Sequence, residues 1–250
     1  SGLKDLYITK NKSQSSLLKP NTKVIKDSLN HNKGFYDIEK VEKVECDTLE
    51  SLILKNNCEF PDFIKIDIQG GEKFVFNSFS SSTWEKIIGV DTEAYSSNLY
   101  ENCGNISDLL NIFYKNNFEI YNVSPMANFL YTSHNKEKLY DINNLESRPN
   151  SSSYYGRQMI FDLLLFKKMN HLLLLKSEEV VRKTIFLHLL YKYYDHAIYL
   201  LYESQSLGII SSNSFLSIKK AIKNDIRFKA GRIKRIREKF KVKNFTIQKR

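Results

Sequence analysis

The spacing of apolar and polar positions predicts a run of alternating strands and helices over the first two thirds of the chain. "KDLYIT" at 4–9 predicts a short strand, and the polar, turn-rich "KNKSQSSLLKPN" at 10–21 a surface loop. In "EKVEKVECDTLESLILKNN" at 39–57, charges alternate with Val41 and Val44, which predicts a strand. Leu49, Leu52 and Ile53 then fall on one side of a helix, with Asp47 placed to cap it and Glu50 three residues on, an imperfect capping box. The apolar density of "DFIKIDI" predicts a strand buried on both faces, as in parallel sheets. "GEKFVFNSFSSSTWEKI" reads as a helix carrying Phe74, Val75 and Phe79 and ending near the serines. A buried strand at 86–95, a helix at 105–117 built on Leu109, Leu110 and Phe113, and strands at 118–123 and 157–168 complete the series.

Strands and helices in this order call for an α/β sheet covered by helices, over residues 1–170. After Asn170 the pattern becomes helical. One long helical stretch, rich in Leu and Tyr, is predicted over 177–204 and a second over 213–242. Ile218, Ile222, Ile226, Ile233, Ile236 and Phe240 recur every three, four or seven residues and form an apolar stripe on a very basic helix. Residues 171–250 therefore read as a helical extension with a basic tail.

Composition changes this picture in three places. With 250 residues, 42% of them hydrophobic and only 4 prolines, the chain can bury a sizeable core and does not have the composition of a disordered segment. No apolar run reaches membrane-spanning length and the first residues have no signal-peptide core. Cys46, Cys58 and Cys103 are far apart, without CxxC or zinc-ligand spacing, which fits free thiols in a reducing cytoplasm. The formal charge of +10 is unevenly spread: Lys219 to Arg250 holds 14 Lys/Arg against 2 Asp/Glu, and the rest holds 24 against 26. An anionic partner is thus expected at the C-terminus, an anionic membrane surface through 219–250 in particular. The competing reading is a stripe that packs on the preceding helix.

The candidate chemistry lies in "PDFIKIDIQGGE". Ligands of open α/β sheets sit beyond the carboxyl ends of the strands. Asp67, Gln69, Gly70, Gly71 and Glu72 lie at such an end, and Glu93 at the next. If the strands are neighbours, Asp67 and Glu93 share one cleft, where a carboxylate accepts a proton from a hydroxyl and glycines permit close approach of a ligand. The alternative is an ordinary strand-to-helix turn. Between Ser124 and Tyr155, Phe129, Tyr131, Tyr140, Tyr154 and Tyr155 stand among polar residues, suited either to stacking on a sugar ring or to packing on a sheet edge. His188 and His196 read as structural.

The segments "VECDTLESLI", "PDFIKIDIQGGEKFVFNSF" and "IIGVDTEAYSSNLYENCGNISDLLNIFYKNNFEIYNV" resemble, in that order, the FkbM-type methyltransferases, with "SSLLKPN" at 15–21 similar to a loop of that family. The resemblance covers roughly residues 3 to 168. It implies a Rossmann-like methyltransferase sheet, S-adenosylmethionine as donor and O-methylation, often of sugars. Carried over by motif, Asp67 and Glu93 become the catalytic candidates. Asp67, Gln69, Gly70 and Glu72 become the cofactor contacts, and Ser15 and Ser16 line the substrate side. No metal is implied.

The family's Gly-rich DxGxxxG-like loop and the acidic end of its second strand have no counterpart in these 250 residues. The resemblance therefore implies the downstream part of such a sheet, lacking its first strands. Two expectations follow: "DFIKIDI" ends as a sheet edge or is covered, and S-adenosylmethionine binds these residues weakly or not at all. The leading function is O-methylation of a hydroxyl on a glycan or glycolipid. The alternative is a catalytically inactive binding module that docks to membrane or nucleic acid through its basic tail. RNA binding is the weakest reading, since no nucleic-acid motif is present.

Overall fold

The computed structural model describes residues 1–26, 28–29, 33–131 and 157–239, with side chains described over 1–26, 34–126 and 158–226. The aromatic stretch expected over 124–155 lies mostly outside these residues. The chain divides into two compact units, Ser1–Lys168 and Met169–Arg250.

The described residues of the first unit form two sheets. β1 (Gly2–Thr9) and β3 (Ile38–Cys46) form an antiparallel ribbon with Gly2 opposite Cys46. Charges line the ribbon, and Lys43 pairs across it with Asp5 at 2.6 Å. The main sheet has the order β2-β6-β7-β5-β4, formed by Ser28–Leu29, Phe118–Tyr131, Arg157–Lys167, Gly89–Tyr95 and Phe63–Ile66. Among the described residues only β4 and β5 pair in parallel; β7 lies between β5 and β6 and is antiparallel to both. Strand β4 is the last in this order among the described residues, as expected of an edge.

Alternation along the strands sorts the two faces of the sheet. Ile64, Ile66, Val90, Leu163 and Leu165 point into the core, where helices α3 (Glu72–Asn77), α4 (Ser81–Lys86) and α5 (Ile106–Lys115) contribute Phe76, Trp84 and Phe113. The Phe76 and Phe113 rings meet edge to face with centroids 4.8 Å apart. On the other face stand Lys65, Asp91, Glu93 and Asp162. Lys65 is exposed, so β4 is buried on one face only, not on both as its apolar density predicts.

Three local expectations are corrected. Thr48, not Asp47, caps α2 (Leu49–Lys55), its hydroxyl accepting from the Ser51 amide at 3.1 Å. Asp47 braces the turn from one residue earlier, accepting from the Thr48 amide. Glu50 makes no capping box; it binds the Ser80 hydroxyl at 2.6 Å. Ser80 is itself an N-cap, and it divides the expected single helix into α3 and α4. A helix α1 (Thr22–Lys26) follows the loop at 10–21.

The second unit is helical: α6 (Met169–Leu174), α7 (Glu178–Leu190), α8 (Tyr194–Ser206) and α9 (Ser212–Lys239). The long helix expected over 177–204 is two helices, because Lys192 takes a left-handed conformation between them. Leu200, Leu201, Phe215 and Ile222 pack with Val181 and Ile185 of α7. The first part of the isoleucine stripe is therefore core, as in the packing alternative. His188 is buried in α7, and burial pushes its imidazole down to about 4.

Candidate functional site

The register that sets Ile66 opposite Thr92 brings the next residues, Asp67 and Glu93, alongside each other, just past the end of β4 and two residues before the end of β5. One side chain joins them. The Gln69 amide nitrogen donates to Asp67 Oδ1 at 2.8 Å and lies 3.4 Å from Glu93 Oε2. Its amide oxygen accepts from the Tyr100 hydroxyl at 3.1 Å, and its backbone carbonyl accepts from Ser16 Oγ at 2.8 Å. Gln69 holds this position with φ of 58°, in the left-handed region that costs a residue with a side chain some strain. The four polar contacts offset that cost.

Below the carboxylates the wall is aromatic. Tyr95 donates its hydroxyl to Glu93, and Tyr36, Tyr95 and Tyr100 pack together with Leu99, Cys103 and Met159. This surround shapes the acid–base properties of the site. Burial, reinforced by the Asp67 and Glu72 charges and opposed by the Tyr95 hydrogen bond, pushes Glu93 up to about 7. Burial raises the phenols of Tyr95 and Tyr100 as well, so both stay protonated donors. Glu93 is thus a carboxyl poised to exchange a proton near neutrality, while Asp67 beside it is exposed.

The remaining expected site residues serve the turn. Glu72 is buried, and its Oε1 accepts the backbone N–H groups of Ile68 at 3.0 Å and Gly70 at 3.3 Å. Burial raises its pKa, against the pull of those donors. Glu72, read from the resemblance as a cofactor contact, faces inward here and shapes the loop. Gly70 has φ of 97°, and a Cβ there would lie 2.9 Å from the Tyr100 ring and 3.0 Å from Cys103. A Cβ at Gly71 would lie 2.8 Å from Ile68. Both glycines make room for the protein's own side chains. Ser16 is buried against Gln69, whereas Ser15 turns away and accepts from the Thr9 amide at 3.1 Å.

Two participants escaped the sequence reading. Asp162 of β7 stands opposite Glu93, its carboxyl raised chiefly by burial. The only sign in the sequence was one acid inside the apolar run "MIFDLLLF". Tyr100, whose ring packs with Tyr36 and Tyr95, also bonds Gln69 and the Gln14 carbonyl. Among the described residues, no group of three or more His, Cys, Asp or Glu side chains is placed to hold a metal ion.

A mixed α/β sheet with carboxylates gathered toward the carboxyl-terminal side of its two parallel strands is consistent with a methyltransferase-like fold. Residues 3–120, which build most of the site, match the family described as the Methyltransferase FkbM domain. Neither the curated proteins nor the solved structures gave a match.

The methyl donor that this family implies meets a partial fit. The exposed Asp67 carboxylate and the Gln69 amide suit the hydroxyl and ammonium groups of an aminoacyl nucleoside. At Gly70 and Gly71 the space beside the backbone is already taken by Tyr100, Cys103 and Ile68.

Proposed function

We propose that this domain works in S-adenosylmethionine-dependent O-methylation of a sugar hydroxyl on a glycan or glycolipid, in the cytoplasm. The observation that carries the reading is the joining of Asp67 and Glu93 through Gln69 inside the segment that matches the FkbM domain. The donor, when bound, supplies an electrophilic methyl group. The chain's own residues then have separate tasks. Glu93, poised near neutrality, accepts the proton of the acceptor hydroxyl. Asp67 accepts hydrogen bonds from the polar groups that enter the cleft. Gln69, Tyr95 and Glu72 keep the two carboxylates in place, so that catalysis rests mainly on positioning. Three free thiols support the assignment to a reducing compartment.

The test is transfer of radiolabelled methyl groups from S-adenosylmethionine to lipid-linked and free glycans by the native polypeptide. Asp67→Asn and Glu93→Gln should each lower transfer by about a hundredfold or more with the fold intact. Near-normal turnover in both variants would overturn the assignment.

A second reading, a methyltransferase-like binding module without turnover, is favoured by one observation: the glycines of the turn are filled by Tyr100, Cys103 and Ile68. Calorimetry with S-adenosylmethionine separates the two readings, since a module of that kind gives no binding heat in the native polypeptide.

A further inference from the structure

Helices α8 and α9 enclose a groove of about 350 Å³ lined by Ile198, Leu201, Tyr202, Ile222 and Ile226, with Lys219 and Lys223 at its lip. Leu201 and Ile222 are the buried floor; Ile198, Tyr202 and Ile226 are exposed at the walls. Lys219 Nζ sits 5.1 Å from the centre of the Tyr202 ring and 5.2 Å from that of Phe215. Lys223 follows one helical turn later. Neither ammonium group has a carboxylate within ion-pair distance among the described residues.

We propose that this groove takes an acyl chain of an anionic lipid, drawn from a membrane surface, with the headgroup held by Lys219 and Lys223. Three observations select that occupant. The floor and most of the walls are aliphatic, so they reward an apolar chain over a polar one. The two charges at the lip are of one sign and have no carboxylate partner among the described residues, so they reward an anion. From Lys219 onward the sequence holds 14 Lys/Arg against 2 Asp/Glu, which repels a second copy of the same surface and attracts an anionic membrane. The volume is that of a small-molecule site, about 300–1,000 Å³. The same helix thus serves two ends: Ile222 belongs to the core of the unit, while Ile226, one turn further, opens to the groove.

The test uses the full 250-residue chain with isoleucine methyl groups labelled for NMR. Dodecyl phosphate below its micellar concentration should shift the Ile198, Ile222 and Ile226 methyls saturably. Inorganic phosphate should not, and dodecyl maltoside should do so more weakly. The chain should sediment with vesicles of phosphatidylcholine and phosphatidylglycerol and not with phosphatidylcholine alone. Lys219→Gln/Lys223→Gln should weaken vesicle binding by about tenfold or more, given about a factor of five per basic residue at an anionic surface. Lys220→Gln, which removes a charge outside the groove, should leave the methyl shifts unchanged. Ile226→Asp, at an exposed position, should abolish them with helicity kept by circular dichroism. Four results would each overturn the proposal: methyls that ignore dodecyl phosphate, equal response to the neutral amphiphile, a double variant that binds like the parent, or the same shifts with an RNA homopolymer.

Discussion

Tyr95 donates its hydroxyl to Glu93, and the two residues lie on one face of β5, both buried. The contact favours the charged carboxylate, whereas burial and the neighbouring Asp67 favour the neutral one. Tyr95→Phe deletes the donor and keeps the ring. The Glu93 titration should then move above its value of about 7, read from the carboxyl resonance by carbon NMR. A titration that stays put or falls would count against the assignment.

The same carboxyl makes the stability of the first unit depend on pH. Glu93 titrates at 4.5 unperturbed and at about 7 in the fold, so the folded unit binds the proton more tightly between those values. Its contribution is complete below 4.5, is lost as pH rises through about 7, and changes little beyond. At about 1.4 kcal/mol per pH unit, the loss is at most about 3 kcal/mol. Trp84, the single tryptophan, is buried in the core of this unit and reports its unfolding by fluorescence. In urea titrations the midpoint of the protein relative to that of Glu93→Gln should fall as pH rises from acid to neutral.

Gly70 is predicted to be the least replaceable glycine of the turn. An added Cβ meets Tyr100 and Cys103, both buried, in a backbone conformation that L-residues rarely adopt. Gly70→Ala should cost about 2 kcal/mol or more. Gly34→Ala is the control, since its Cβ meets nothing closer than Asp37 at 3.8 Å. Equal urea midpoints for the two variants would refute the packing account.

Lys167 is a buried cation in a hydrophobic core. Its ammonium donates to the Trp84 carbonyl at 2.6 Å and lies over the Phe118 ring, and burial lowers its pKa. Lys167→Ala opens a cavity and leaves that carbonyl without the ammonium, and should cost about 2–5 kcal/mol. Lys167→Met keeps most of the volume and removes the charge, and should cost clearly less. The order of the two midpoints is the measurement.

Much of this fold is legible in the sequence because strands and helices differ in the spacing of their apolar residues. The strand at Phe63–Ile66 and the helix at Ile106–Lys115 are cases in point. Breaks were harder to read. Tyr191 to Tyr193 separates two helices without a glycine or proline, through a lysine in a left-handed conformation. Ser80 ends one helix and starts another by a hydrogen bond that composition does not announce. The nearness of Asp67 to Glu93 follows from two strands being parallel neighbours, which spacing suggests. The Gln69 bridge and the Asp162 carboxyl depend on loop conformation and antiparallel register, which no local pattern encodes.

The place of β7 between β5 and β6 has a consequence for the order of events during synthesis. The strand emerging last from the ribosome in this unit is the one that joins its two halves, for β5 and β6 touch in the ladder only through it. Until Arg157–Lys167 is made, Glu93 has no Asp162 opposite it and the sheet has two open interior edges. Long-range pairing of this kind is slow and leaves apolar strands uncovered in the interval. The nascent chain is therefore expected to expose apolar strand edges until its final strand is in place, and Glu93 gains the facing Asp162 only at the end.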